Sequence, residues 1–196
     1  MPISRRDLIK SLSLTVAAGS MMRVVPLATA ETAQRMVSAH KAASPSGEYA
    51  PRCFPEHQYK TLRALCKAII PPDQESGGAV EAGAPEFIDL LSSENKDLQL
   101  QLGGGIMWLD ATCSERYGET YLQCNPGQRT EMLDLIAFRK NAQQDPRLSP
   151  GIEFFSRLRK YTADGFFTSE IGIKYLGYIG NTYLKEFPGC PAIPEA

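Results

Sequence analysis

The sequence predicts an all-α protein, a compact bundle of about six helices in a single domain. Three observations predict it. Apolar residues recur every three or four positions through several segments, proline and asparagine mark helix starts, and no run alternates strongly enough between turn residues to be a strand. The length of 196 residues suits one domain with a tail, and 43% hydrophobic with 22% charged residues is a globular composition. With 21 basic against 22 acidic residues there is no basic footprint for nucleic acid. No window offers the roughly 18 uninterrupted apolar residues of a membrane-spanning helix.

The first 30 residues read as an address. Arg5 and Arg6 precede a modest apolar run from Leu12 to Met22, and Ala28-Thr29-Ala30 supplies a small-x-small cleavage site. This three-part layout is that of an export signal, and the arginine pair points to the twin-arginine route into the periplasm. Arg23, between the apolar run and the cleavage site, disfavours the ordinary secretory route. Removing residues 1–30 takes four basic residues and one acid, leaving 17 against 21 and a net charge of −4. Residues 31–52 show no sustained period and are expected to be a flexible lead-in, ordered only if something holds it.

Residues 53–196 then form the helical domain. Tyr59, Leu62, Leu65, Cys66, Ile69 and Ile70 share a face that ends hard at Pro71-Pro72. After a loop rich in glycine and acid, Pro85 opens a short helix with Phe87, Ile88, Leu90 and Leu91 inward. Leu98, Leu102, Ile106, Leu109 and Cys113 make the next stripe. Gly103-Gly104-Gly105 interrupts it at about 1 kcal/mol per glycine, which predicts a kink, a break or the close approach of another backbone. Asn125-Pro126-Gly127-Gln128 is a helix start with a reciprocal cap, leading to Met132, Leu135 and Ile136. Ser149-Pro150 repeats the start before Ile152, Phe155, Leu158 and Tyr161, and Thr168 or Ser169 caps a last short helix through Tyr175. From about residue 185 the chain is an irregular tail.

Chemistry is sparse. Cys53, His57 and Cys66 lack a fourth ligand at zinc spacing, and His57 reads as a solvated residue at a helix start. No glycine-rich cradle, nucleophile elbow or haem-attachment motif occurs. Glu86 with Asp89, and Asp110 with Glu115, stand at spacings that normally wet an outer helix face, so they are weak candidates for an acid pair. The five cysteines allow about fifteen pairings with one left over. Cys66 and Cys113 fall on apolar faces, and Cys190, in a Pro/Gly-rich tail, is the candidate bridge-former with no partner assigned.

One segment stands out, from Tyr161 through Gly165-Phe166-Phe167 to Asn181, where aromatics and glycines are dense. Phe166 and Phe167 read equally as core plugs and as interface residues. Tyr175, Tyr178 and Tyr183, with Asn181 beside them, suit a partner-facing surface, because tyrosine joins apolar area to a polar tip.

Ala64-Leu65-Cys66-Lys67-Ala68-Ile69-Ile70-Pro71-Pro72-Asp73, Ala82-Gly83-Ala84-Pro85-Glu86-Phe87-Ile88-Asp89, Trp108-Leu109-Asp110, Gly165-Phe166-Phe167-Thr168-Ser169, Tyr175-Leu176-Gly177-Tyr178, Gly180-Asn181 and Pro188-Gly189-Cys190 together resemble the gluconate 2-dehydrogenase subunit 3 family. The resemblance implies the small subunit of a periplasmic, membrane-associated sugar or polyol dehydrogenase. It implies a large FAD-binding partner of the glucose–methanol–choline type and, in some complexes, a multihaem cytochrome c subunit. The small subunit would carry the export signal for the flavoprotein and engage the twin-arginine machinery. On this reading the chain holds no cofactor and no catalytic residue, and FAD and haem c belong to its partners. Two alternatives stand beside it: an adaptor docking the dehydrogenase to the cytochrome or membrane, and a stand-alone exported enzyme using an acid pair or a cysteine.

Overall fold

A computed structural model describes residues 27–44 and 49–180, with side chains from Ala30 onward. Arg5, Arg6, Asn181, Tyr183, Cys190 and the tail from 185 lie outside the described residues. Within them the protein is all-α, without strands. The helices are α1 (Leu27–Ala43), α2 (Glu56–Ile69), α3 (Ala84–Glu94), α4 (Lys96–Tyr117), α5 (Pro126–Ala137), α6 (Asn141–Gln144), α7 (Ser149–Phe167) and α8 (Glu170–Tyr175), with one 3₁₀ turn at Pro146–Leu148. None of these is long and apolar enough to cross a membrane.

The architecture is built around α3 and α7. Residues Ala84 to Leu90 of α3 are all buried, because the helix packs against α1, α2, α4 and α7 at once. The α7 helix packs against α2, α4, α5 and α8 as well. Phe87, Ile88, Leu62, Leu65, Leu102 and Leu109 are at most 1% exposed and form the centre of the core. A helix buried on so many sides takes its stability from packing more than from intrinsic propensity.

Starts and stops follow the local chemistry. Asn125 Oδ1 accepts from the Gln128 amide at 3.0 Å while Gln128 Oε1 accepts from the Asn125 amide at 2.9 Å, the reciprocal cap expected for α5. Ser169 Oγ accepts from the Gly172 amide at 3.1 Å and starts α8, which ends at Tyr175 as the sequence predicts. Gly83 and Gly118, at φ +79°, occupy the left-handed region before α3 and after α4.

Four expectations change. Most of the lead-in at 31–52 is helix α1, held because Ala30, Ala33 and Val37 pack into the core and Gln34 Nε2 donates to the Gly165 carbonyl at 2.8 Å. With α1 and the short α6 added, the described helices number eight and not about six. The triple glycine does not break α4, which runs on from Lys96 to Tyr117. A Cβ on Gly105 would lie 2.1 Å from the Phe154 ring, and one on Gly151 of α7 would lie 2.1 Å from the Trp108 ring. Each helix therefore offers a glycine to the other's aromatic side chain, and it is side chains, not a second backbone, that fill the space.

The fourth change concerns the acids. Glu86 and Asp89 do not wet an outer face; they are 4% and 0% exposed. Asp89 Oδ2 accepts from Tyr49 Oη at 2.9 Å and the Arg52 amide at 2.7 Å, and Oδ1 accepts from the Cys53 and Phe54 amides at 3.1 and 3.0 Å. The carboxylate thus fastens the irregular segment before α2 to the centre of the molecule. Glu86 Oε1 lies 3.4 Å from Arg63 Nη1 and 3.9 Å from Lys41 Nζ, tying α2 and α1 to α3. Asp110 is also drawn inward. It accepts from the Tyr121 amide at 3.0 Å and pairs with His57 Nε2 at 2.7 Å, which gives the half-exposed His57 a partner.

Candidate functional site

The aromatic–glycine segment becomes the end of α7 and all of α8. At the junction Thr168 Oγ1 donates to the Asp164 carbonyl at 2.6 Å and Ser169 Oγ donates to the Phe166 carbonyl at 2.6 Å, so these two carbonyls are paired where the chain turns. Gly172 then passes so close that a Cβ there would lie 2.0 Å from the Phe166 carbonyl oxygen. Only glycine permits that approach. The far end of α8 closes in a Schellman arrangement, with the Tyr178 amide donating to the Ile173 carbonyl at 3.2 Å and the Gly177 amide to the Lys174 carbonyl at 3.0 Å. Gly177 has the φ of +64° that this closure requires.

The two phenylalanines separate. Phe166 is buried at 2% exposure and does not reach the partner-facing surface the sequence offered it for. It forms the bed of that surface, with Phe167 edge-on at 5.1 Å and Tyr175 at 6.3 Å between ring centroids. Phe167, Ile173, Tyr175, Leu176, Tyr178 and Ile179 are exposed in this segment, from 37% at Ile173 to 83% at Ile179. Six large apolar or amphipathic side chains within thirteen residues exceed the scattered exposure normal for a monomer surface. Ile173, Leu176 and Ile179 were not singled out from sequence, although the run that contains them was.

Of the export residues, Ala28 lies within the backbone of α1 and Ala30 is buried against the core at 2% exposure.

No assembled chemistry accompanies this face. Among the described residues no three His, Cys, Asp or Glu side chains converge on a metal-sized site. A shallow groove between α4 and α7, lined by Gln101, Gly104, Trp108, Phe154 and Arg157, holds about 180 Å³. That is below the roughly 300 Å³ of ordinary small-molecule sites. Cys66 is fully buried 3.5 Å from Thr162 Oγ1, and burial pushes its thiol up to about 12; burial likewise raises Cys53 to about 11. Thiols held protonated in this way are poor nucleophiles.

Fold and surface together define a small helical protein with a dense apolar face at one end and carboxylates committed to holding its segments together. Residues 56–189 match gluconate 2-dehydrogenase subunit 3, and the chain belongs to that family. No curated protein and no solved structure matches it.

Proposed function

We propose that this chain is the non-catalytic small subunit of a periplasmic, FAD-dependent sugar or polyol dehydrogenase, and that it escorts the flavoprotein through twin-arginine export and then stabilises it. The observation that carries the proposal is the run of exposed apolar side chains from Phe167 through α8 to Ile179, in a member of a dehydrogenase-subunit family whose sequence carries an arginine-pair export pattern. Tyr175, Tyr178, Phe167 and Leu176 supply the contact to the large subunit, and Phe166 backs them. FAD sits in that subunit, and haem c in a cytochrome subunit where one is present. A contact of this kind buries on the order of 2,000 Å² or more.

The test is fractionation of cells that express both subunits with the small one carrying Arg5→Lys and Arg6→Lys. The flavoprotein is expected to stay in the cytoplasm. Normal periplasmic levels would show that it travels without this escort.

A second apolar strip favours the adaptor alternative. Leu100 and Met107 are each 63% exposed on the outer face of α4. Crosslinking within the intact complex separates the two readings, because an adaptor yields links to both the flavoprotein and the cytochrome.

A further inference from the structure

The connection between α4 and α5 folds back along the helix it leaves. Gly118 reverses the chain, the Tyr121 amide is fixed to Asp110 of α4 at 3.0 Å, and Arg129 of α5 donates from Nε to the Cys124 carbonyl at 2.9 Å. Arg129 also donates from Nη2 to the Leu122 carbonyl. This closure sets two cysteines against each other. Cys113 faces inward from the next-to-last turn of α4, and Cys124 ends the connection just before the α5 cap; they are 0% and 2% exposed. The two thiols are buried neighbours, each three residues along from the Asp110–Tyr121 bond that joins the connection to α4, and Cys124 Sγ also approaches the Glu119 carbonyl at 3.8 Å.

We propose that Cys113 and Cys124 are a disulfide-forming pair, and that oxidation locks the α4–α5 connection into a covalent loop. Ten residues separate the two cysteines. A loop of that length closes readily, and its cross-link restricts the unfolded chain. Cys66 is differently placed, with a threonine hydroxyl beside it. The oxidant is a disulfide of the glutathione or thiol-oxidoreductase class. One cysteine thiolate attacks it, releasing a thiolate and leaving a mixed disulfide. The second thiolate then attacks the cysteine sulfur of that intermediate and expels the other half. The net change is two cysteine thiols and one external disulfide becoming one protein disulfide and two external thiols, with the two protons carried by the released thiols. Burial and the neighbouring Cys124 push the Cys113 thiol up to about 12, so exchange proceeds while the connection is open and slows once it closes. The proposal rests on the export reading only for where the oxidant is met.

The experiment uses the full chain, reduced and unfolded, then refolded in a glutathione redox buffer. Free thiols are alkylated in denaturant at acid pH, and the protein is digested without reduction for mass spectrometry. The expected result is a Cys113–Cys124 cross-linked peptide two hydrogens lighter than its reduced parts, with Cys53 and Cys66 alkylated. Cys113→Ser and Cys124→Ser should each remove the cross-link and leave the remaining cysteine alkylated. The same map on natively purified chain treated with diamide gives the answer without a refolding step. Alkylation of both cysteines in both protocols, or a dominant link from either one to another cysteine, overturns the proposal. The glutathione experiment is blind to location, so its failure would sink the disulfide and leave the export reading standing.

Discussion

Asp89 takes four hydrogen bonds, more than any other side chain among the described residues, and its removal tests the account of how the segment before α2 is held. Its two oxygens take four donors and it is fully buried. Asp89→Ala leaves the Tyr49 hydroxyl and the Phe54 amide without acceptors in buried positions, at about 1–3 kcal/mol each. The Arg52 and Cys53 amides are only part-buried and regain water, so they cost less. Relief from holding a carboxylate away from water offsets part of this sum. The net loss expected is about 4 kcal/mol, a fall of roughly 8–16 °C in Tm for a chain this size. Asp89→Asn keeps an oxygen for Cys53 and Phe54 but turns an amide NH2 toward two donors, and should lose about 2 kcal/mol. Tyr49→Phe removes one bond, and about 1 kcal/mol goes with it. Urea unfolding followed by circular dichroism measures all three, with an unchanged m-value required for the comparison. An Asp89→Ala protein within 1 kcal/mol of the parent would refute the idea that this carboxylate fastens residues 49–54.

Three further outcomes are expected. Tyr175→Asp combined with Leu176→Asp should abolish co-purification with the flavoprotein and leave the Tm of the isolated chain within a few degrees, because both side chains are about half exposed or more; retained co-purification would move the interface elsewhere. Neighbouring glycines in α4 should respond with opposite sign in thermal melts: Gly105→Ala drives a Cβ into Phe154 and costs about 1–3 kcal/mol, whereas Gly104→Ala meets open space and gains about 0.5–1 kcal/mol. In reductant, stability should fall as pH rises. Burial holds Cys66 and Tyr121 up to about 12 and Cys53 to about 11, against ordinary values of 9.0 for thiols and 10.0 for tyrosine. The unfolded chain therefore loses these protons first, stability is full below about pH 9 and declines toward pH 12, and equal urea midpoints at pH 8 and pH 10.5 would contradict it.

The large-residue part of the fold was legible in the sequence, and the part built from small residues and long-range polar contacts was not. The α2, α3, α5 and α7 helices announce themselves through inward Leu, Ile and Phe at helical spacing, with Asn125, Pro85 and Pro150 at starts, and α8 through its Ser169 cap. The α1 helix gives no such pattern, because its core contribution is Ala30, Ala33 and Val37, which carry too little apolar area to mark a face. Glu86 and Asp89 looked like surface acids since their spacing is the same either way. What decides their burial is a set of donors up to 45 positions away: for Asp89 a segment with no period of its own, for Glu86 Arg63 on α2 and Lys41 on α1. Phe166 and Phe167 could not be told apart as a dipeptide. One step along α7 rotates about 100°, and that rotation sends one ring into the core and the other toward solvent.

The same logic explains how a six-residue helix can hold exposed apolar side chains in a fixed arrangement. An isolated helix of that length has no stability in water. The α8 helix borrows its order from three places: the Ser169 cap, the Gly172 backbone pressed onto the Phe166 carbonyl, and the left-handed closure at Gly177. Phe166, locked in the core, then fixes Phe167 and Tyr175 by edge-on contact. A partner that binds these side chains meets groups whose backbone is already set, so less of the contact free energy goes into ordering the surface. Gly172→Ala separates this preorganisation from mere exposure. The variant keeps every apolar side chain of the face but cannot keep its backbone in place, because its Cβ would lie 2.0 Å from the Phe166 carbonyl oxygen. If preorganisation matters, it binds the flavoprotein at least tenfold more weakly than the parent in a titration while the core melts nearly as before. Parent-like affinity would mean that the exposed side chains suffice without the platform beneath them.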